Sequence, residues 1–397
     1  MLQSVIDNQA ITDLKILTSI SFCIFLSPYI AKFLRLPISA TEIILGALIA
    51  YFGFIDESLN FKVLANIGFF YLMFIAGMEV NLRTLFGIEK ALFQKSLLYI
   101  FSLYIISALF VWGFELNYIL ILIIPVMSVG LITMLFKDFD KDCDWLKISM
   151  LVATMAEVVS IILITITGAF LQEDANILEV VKNILYLVSF LAICLFGFKF
   201  LGIVFWWYPH LKTILMPQED KNEKDIRFCM AIFILVIVAM IIAKLEIALG
   251  AFIAGSFIAT FFDHKHDLER KLSSFGYGFL IPVFFIYIGT TFDIKMIFNY
   301  DVLVYALFIM FVMIFVRFLS SCVFLKDIGF KNTLLFGLSH SMPLTLLIAI
   351  ATLSYSANVI SSNLYSSLIL TSVFEAIVVM ILIKFISNFK RRENEKS

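Results

Sequence analysis

KISMLVATMAEVVSIILITITGAFL, residues 147–171, carries one carboxylate, Glu157, and no other charge after its leading Lys147. A helix rises 1.5 Å per residue, so a run of this length reaches across a hydrocarbon layer of about 30 Å, which needs about 20 apolar residues. Glu157 stands ten residues from Lys147, which puts it roughly 15 Å into that layer. An ionisable group at such depth costs about 2.5–3.5 kcal/mol on insertion scales and is read first as functional. The structural alternatives are a buried ion pair that fixes helix packing, or a carboxyl that stays protonated.

Similar runs recur along all 397 residues, of which 62% are hydrophobic and 15% charged. One globular core cannot hide that much apolar surface, since soluble domains are nearer half apolar with about a quarter of their residues charged. The alternating pattern of a membrane β-barrel is absent. The chain therefore reads as an all-α polytopic membrane protein of about 13 transmembrane helices. With the C-terminus in the cytoplasm and the N-terminus outside, most of the 29 basic residues fall in cytoplasmic segments, as the positive-inside rule requires. The outer segments hold Lys15, Lys62, Lys182, Lys244 and Lys295. The first run, beginning near residue 16, lacks the basic flank of a cleaved leader and is expected to be retained. Residues 390–397 are expected to form a short basic cytoplasmic tail, and residues 1–389 the transmembrane domain.

Arg317 is the one basic residue well inside an apolar run, about nine residues from the nearest loop, and so at the depth of Glu157 on another helix. Glu375 is also mid-span, and Glu42 lies about one turn inside the second span. Arg317 and Glu375 are candidates for a buried charge pair. For Glu42 a structural role is the plainer reading.

Two spans look interrupted. The fifth (117–136) reads IIPVMSVGLITMLF with Pro125, Ser128, Gly130 and Thr133; the twelfth (332–353) reads GLSHSMPLTLLIAIA with Ser339, His340, Ser341, Pro343 and Thr345. Proline removes a donor and frees a carbonyl one turn back. Transporters tolerate such breaks where the freed groups line a substrate site, although kinks without function also occur. The two are seven spans apart, an odd offset, so they would correspond in an inverted repeat that also maps the span of Glu157 onto that of Glu375. His340 is a candidate proton relay, with a hydrogen-bonded structural histidine as the plainer reading. The five cysteines (Cys23, Cys143, Cys194, Cys229, Cys322) form no CxxC pair and read as packing residues. Net charge is −1, so no nucleic-acid partner is expected. No cofactor, metal site or enzymatic cluster is expected either.

Five stretches resemble the monovalent cation:proton antiporter family, which includes bacterial sodium/proton exchangers and potassium efflux systems. LPISATEIILGALIAYFG is similar to its second helix, with Thr41-Glu42 for Gly-Glu. IGFFYLMFIAGMEVNLRTL is similar to its FLAGLE segment, with Glu79 matching. ALGAFIAGSFIA matches its GAFLAG helix at Gly250, Ala251, Phe252, Ala254 and Gly255. FLIPVFFIYIGTTFDI matches a PxFFxxxGxxxD segment at Pro282, Phe284, Phe285, Gly289 and Asp293. Arg317 falls where the family carries a buried Lys or Arg. Departures occur at the site: Ala156-Glu157 replaces an Asp-Asp, Asn-Asp or Gln-Asp pair, Ser128-Val129 a Ser-Thr pair, and Ser341-Met342-Pro343 a charged or Gly-Glu segment.

The resemblance implies inverted repeats with two broken crossed helices, a core built on spans 5, 6, 11, 12 and 13, and a separate dimerising domain in a homodimer. It implies exchange of Na⁺ or K⁺ for H⁺ across a bacterial inner membrane, with Glu157 binding cation or proton and Ser128, Ser341 and freed carbonyls completing an oxygen shell. Rival readings are a transporter of another solute, such as an organic anion with Arg317 as counter-ion, and a non-transporting scaffold.

Overall fold

The structure is a computed structural model that describes residues 2–34, 36–55, 58–80, 89–129, 132, 144–170, 177–211, 216, 222–243, 245, 247–262, 266–292 and 294–394. Its elements are helical. Among the described residues, nine helices are long and apolar enough to cross a membrane, and three shorter apolar helices accompany them: Ile38–Tyr51, Ile247–Phe261 and Leu346–Ser356. The chain divides into two compact units, Met1–Ile24, Asp56–Gly87 and Thr165–Tyr287 in one, and Phe25–Ile55, Ile88–Ile164 and Ile288–Ser397 in the other.

The first unit takes the start of α1 (Leu2–Leu34), α3 (Leu59–Met78), α7 (Ile177–Trp207), α8 (Lys224–Ile242), α9 (Ile247–Phe261) and α10 (His266–Phe275). A π-helical turn, Gly276–Leu280, follows and leads into α11 (Ile281–Thr291). α1 begins well before the apolar run that predicted it. Lipid tails are as apolar as leucine, so helices here associate by close packing and interhelical hydrogen bonds. α3 and α9 meet at glycines: a Cβ on Gly77 would collide with the Phe252 carbonyl, and one on Gly255 with the Phe74 carbonyl. At the same crossing the buried Ser256 hydroxyl donates to the Gly77 carbonyl at 3.1 Å. The FIAGM and GAFIAG stretches thus pack on each other. α7 turns the opposite way, with Leu185, Phe196, Phe200, Trp206 and Trp207 exposed, as suits a helix solvated by lipid.

This crossing gives a direct test. Gly77→Ala is expected to destabilise the protein by about 1–3 kcal/mol, because the new methyl must displace backbone. Gly197→Ala on α7, where a Cβ meets nothing within 4 Å, is expected to gain about 0.5–1 kcal/mol of helix propensity. Thermal unfolding in detergent compares them; equal melting of Gly77→Ala and wild type would refute the close crossing.

The second unit holds the end of α1, α2 (Ile38–Tyr51), α4 (Lys90–Gly113), α5 (Leu120–Ile123), most of α6 (Asp144–Phe170), α12 (Tyr300–Ser321), α13 (Leu325–Ser339), α14 (Leu344–Ser356) and α15 (Ser362–Asn394). Gly289 repeats the glycine device, since its Cβ would meet the Ile43 carbonyl on α2. Gly329 (φ 76°) bends α13 near its start, a left-handed conformation that glycine adopts without steric penalty. α12 and α15 are joined by a seam of hydroxyls. Ser367 Oγ lies 3.1 Å from the Val302 carbonyl and 2.9 Å from that of Asn363. Thr371 Oγ1 lies 3.0 Å from the Ala306 carbonyl and 2.8 Å from that of Ser367. Glu375 follows one turn further along the same face.

Candidate functional site

Both predicted interruptions are present, and both lie in the second unit. α5 ends before Pro125, Val126–Ser128 are non-helical, and helical backbone resumes at Val129. Gly130 and Thr133 lie outside the described residues. At the second break α13 ends at Ser339, His340–Pro343 form a turn, and α14 begins at Leu344 with Pro343 as its N-cap. Each proline stands where an interior helical donor is dispensable.

Glu157, 1% exposed, sits at mid-helix on α6. Its Oε2 accepts the Val129 N–H at 3.1 Å. That N–H stands just beyond the non-helical Val126–Ser128, at the first residue that is helical again. Arg317, wholly buried on α12, addresses the other side of the same break: its Nη2 donates to the Val126 carbonyl. Its Nη1 donates to the Met313 carbonyl at 3.1 Å and lies 3.5 Å from Glu375 Oε1. A carbonyl and an N–H of the same short break thus meet side chains of opposite charge. Ser128 is buried between these two contacts in sequence.

The second break is tied down differently. Ser341, buried, turns its hydroxyl to the Gly337 carbonyl at 3.1 Å. His340 Nε2 donates to the Ser149 carbonyl on α6 at 3.0 Å. A carbonyl only accepts, so Nε2 carries the hydrogen, and Nδ1 lies 3.0 Å from the Tyr99 hydroxyl of α4. The Ser339 and Ser149 hydroxyls lie 3.0 Å apart. Both ring nitrogens of His340 are therefore engaged. Tyr99 and Ser149 escaped the sequence reading, because nothing marks one tyrosine or one carbonyl among many. Glu42 is 3% exposed and accepts from Ser27 Oγ at 3.3 Å.

The structure thus brings Glu157, Pro125, Ser128, Arg317 and Glu375 around the first break. Ser341 and Pro343 form the second, which reaches α6 through its neighbours Ser339 and His340.

Known proteins fit this architecture. A probable Na⁺/H⁺ antiporter of Methanocaldococcus jannaschii is 26% identical over 392 residues, covering 94% of this chain and 96% of its own. The putative Na⁺/H⁺ antiporter YjbQ of Bacillus subtilis is 26% identical over 402 residues, 94% of this chain and 63% of that one; this chain spans less than two thirds of that relative. The Na⁺/H⁺-K⁺ antiporter GerN of Bacillus cereus is 27% identical over 264 residues, 64% of this chain and 65% of its own. The solved structure of the sodium proton antiporter MjNhaP1 from Methanocaldococcus jannaschii shares the fold, with a TM-score of 0.67 at 15% identity over 93% of this chain and 96% of that one. The family model described as sodium/hydrogen exchanger, transmembrane, matches residues 20–388. On that match the chain belongs to the sodium/hydrogen exchanger family.

Proposed function

We propose that the protein exchanges Na⁺ or K⁺ for H⁺ across a bacterial inner membrane, with Glu157 as the group for which cation and proton compete. The observation that carries this reading is the Glu157 carboxylate, buried at mid-helix and turned to the Val129 N–H at the break that follows Pro125. A cation arriving there would find the carboxylate, the Ser128 and Ser341 oxygens and the carbonyls freed by the breaks, which are the oxygen ligands hard cations prefer. Arg317 would balance the break and Glu375 from behind. It is committed to two carbonyls and a carboxylate, which argues against its serving as counter-ion for an organic anion. The second unit would be the ion-binding core, within a homodimer whose N-terminus is outside and C-terminus cytoplasmic. Proteoliposomes with a trapped pH dye, offered Na⁺, K⁺ and Li⁺ in turn, test this; no cation-driven proton movement would sink it.

Exchange is expected to be electroneutral. Ala156 leaves one carboxylate at the dipeptide of α6, and a guanidinium does not release its proton in a working cycle. One H⁺ for one monovalent cation moves no net charge. In vesicles clamped with valinomycin and balanced in Na⁺ and pH, a potential of about 100 mV, worth about 2.3 kcal/mol per charge, should drive no proton movement. Proton flux under that clamp would refute one-for-one exchange.

A further inference from the structure

The pair formed by Arg317 and Glu375 is incompletely made. Arg317 Nε, Glu375 Oε2 and Ser320 Oγ, all buried, have no hydrogen-bond partner among the described residues. A buried ion pair that serves only packing is favoured when it is bidentate and its remaining lone pairs are filled. Here the guanidinium gives its shorter contacts to the Met313 and Val126 carbonyls, and Glu375 receives a single contact at 3.5 Å. One carboxylate oxygen, Oε2, is left buried without a hydrogen-bond partner among the described residues. Such a carboxyl has two tenable states: ionised beside Arg317, or neutral with a proton of its own while the guanidinium rests on the two carbonyls.

Arg317 also connects this carboxyl to the exchange site. Val126, which it holds, is three residues from Val129, which holds Glu157. A cation that draws Glu157 away from Val129 acts on the same short stretch that anchors Arg317. The hydroxyl seam between α12 and α15 joins the two helices that carry Arg317 and Glu375.

We infer that Glu375 is a second proton-binding carboxyl, coupled through Arg317 to the first break, which sets the pH range of exchange without adding to its stoichiometry. This rests on the exchange reading above. Of the titratable groups on elements packed against α15, Arg317 on α12 is the one bonded to Glu375 among the described residues. Tyr99 and His340, bonded to each other, lie within electrostatic reach of the same guanidinium. The other titratable groups are Tyr300, Asp301 and Tyr305 on α12, Tyr355 on α14, Lys326, Asp327 and Lys331 on α13, and Lys295 in the turn before α12.

The test is the pH–rate profile of Na⁺-driven exchange in proteoliposomes for wild type, Glu375→Gln and Glu375→Asp, with the coupling ratio measured alongside. The expected result for Glu375→Gln is a profile that loses one titrating limb at an unchanged one-for-one ratio, with Glu375→Asp restoring the limb in part. Profiles that superimpose on wild type overturn the inference, as does a changed coupling ratio, which would make Glu375 a carrier. Infrared difference spectra between acid and alkaline pH provide a readout independent of transport. A protonated-carboxyl band lost in Glu375→Gln supports proton binding even if wild type drives no cation flux, which would instead refute the exchange reading. An unchanged band overturns it. If Glu375→Gln fails to fold, the position of the same band in Glu375→Asp decides: a shift supports the assignment and no shift overturns it.

Discussion

Glu157→Gln is expected to reduce cation-driven proton flux in proteoliposomes to that of protein-free vesicles while leaving a folded, membrane-inserted protein. The amide keeps the size of the side chain, and its oxygen can still accept the Val129 N–H that Glu157 Oε2 accepts at 3.1 Å. What it lacks is the negative charge that would draw a cation and the oxygen that would hold a proton. Glu157→Asp separates these properties. It retains the charge but is one methylene short of Val129, so it is expected to transport weakly, with a raised KM for the cation. A Gln variant that exchanges at the wild-type rate would show that Glu157 is not the carrier.

Arg317→Ala is expected to lose roughly 3–5 kcal/mol of stability, the usual cost of removing one partner of a buried pair. The truncation strips the Val126 carbonyl of its donor, empties a fully buried volume and leaves Glu375 uncompensated. Arg317→Lys should fall between, because an ammonium keeps the charge but not the planar fork that serves carbonyl and carboxylate together. Adding Glu375→Gln to Arg317→Ala should recover part of the loss, since the stranded carboxylate is then gone. Melting in detergent measures all three; an additive double variant would show that the two side chains are energetically independent.

The features legible in the sequence were those that physics writes into single residues. A membrane span announces itself by length and hydropathy, and Pro125 and Pro343 mark breaks because each removes a donor. Glu157, Arg317 and Glu375 stood out by their depth alone, and the structure buries all three. The contacts that organise the site were illegible. Val126 contributes a carbonyl and Val129 an N–H, groups every residue of their kind possesses, and only the fold makes them special. The burial of Glu42 was equally illegible, because it comes from Ser27 of α1, which lies far from it in sequence. The glycines of the resembling motifs were legible as a pattern but not as a purpose. In the structure Gly77, Gly255 and Gly289 are where one backbone presses on another.

The hydroxyl seam between α12 and α15 also acts as an insulator. Proton conduction by hopping needs each link both to accept a hydrogen and to hand one on. Ser367 and Thr371 each lie between two carbonyl oxygens, and a carbonyl has no hydrogen to pass along. Between the Ser362 end of α15 and Glu375, Ser367 and Thr371 therefore form no chain of hydroxyls handing hydrogens to one another. A proton that reaches Glu375 gains nothing from these two hydroxyls, which bind the helices together without extending a relay along them.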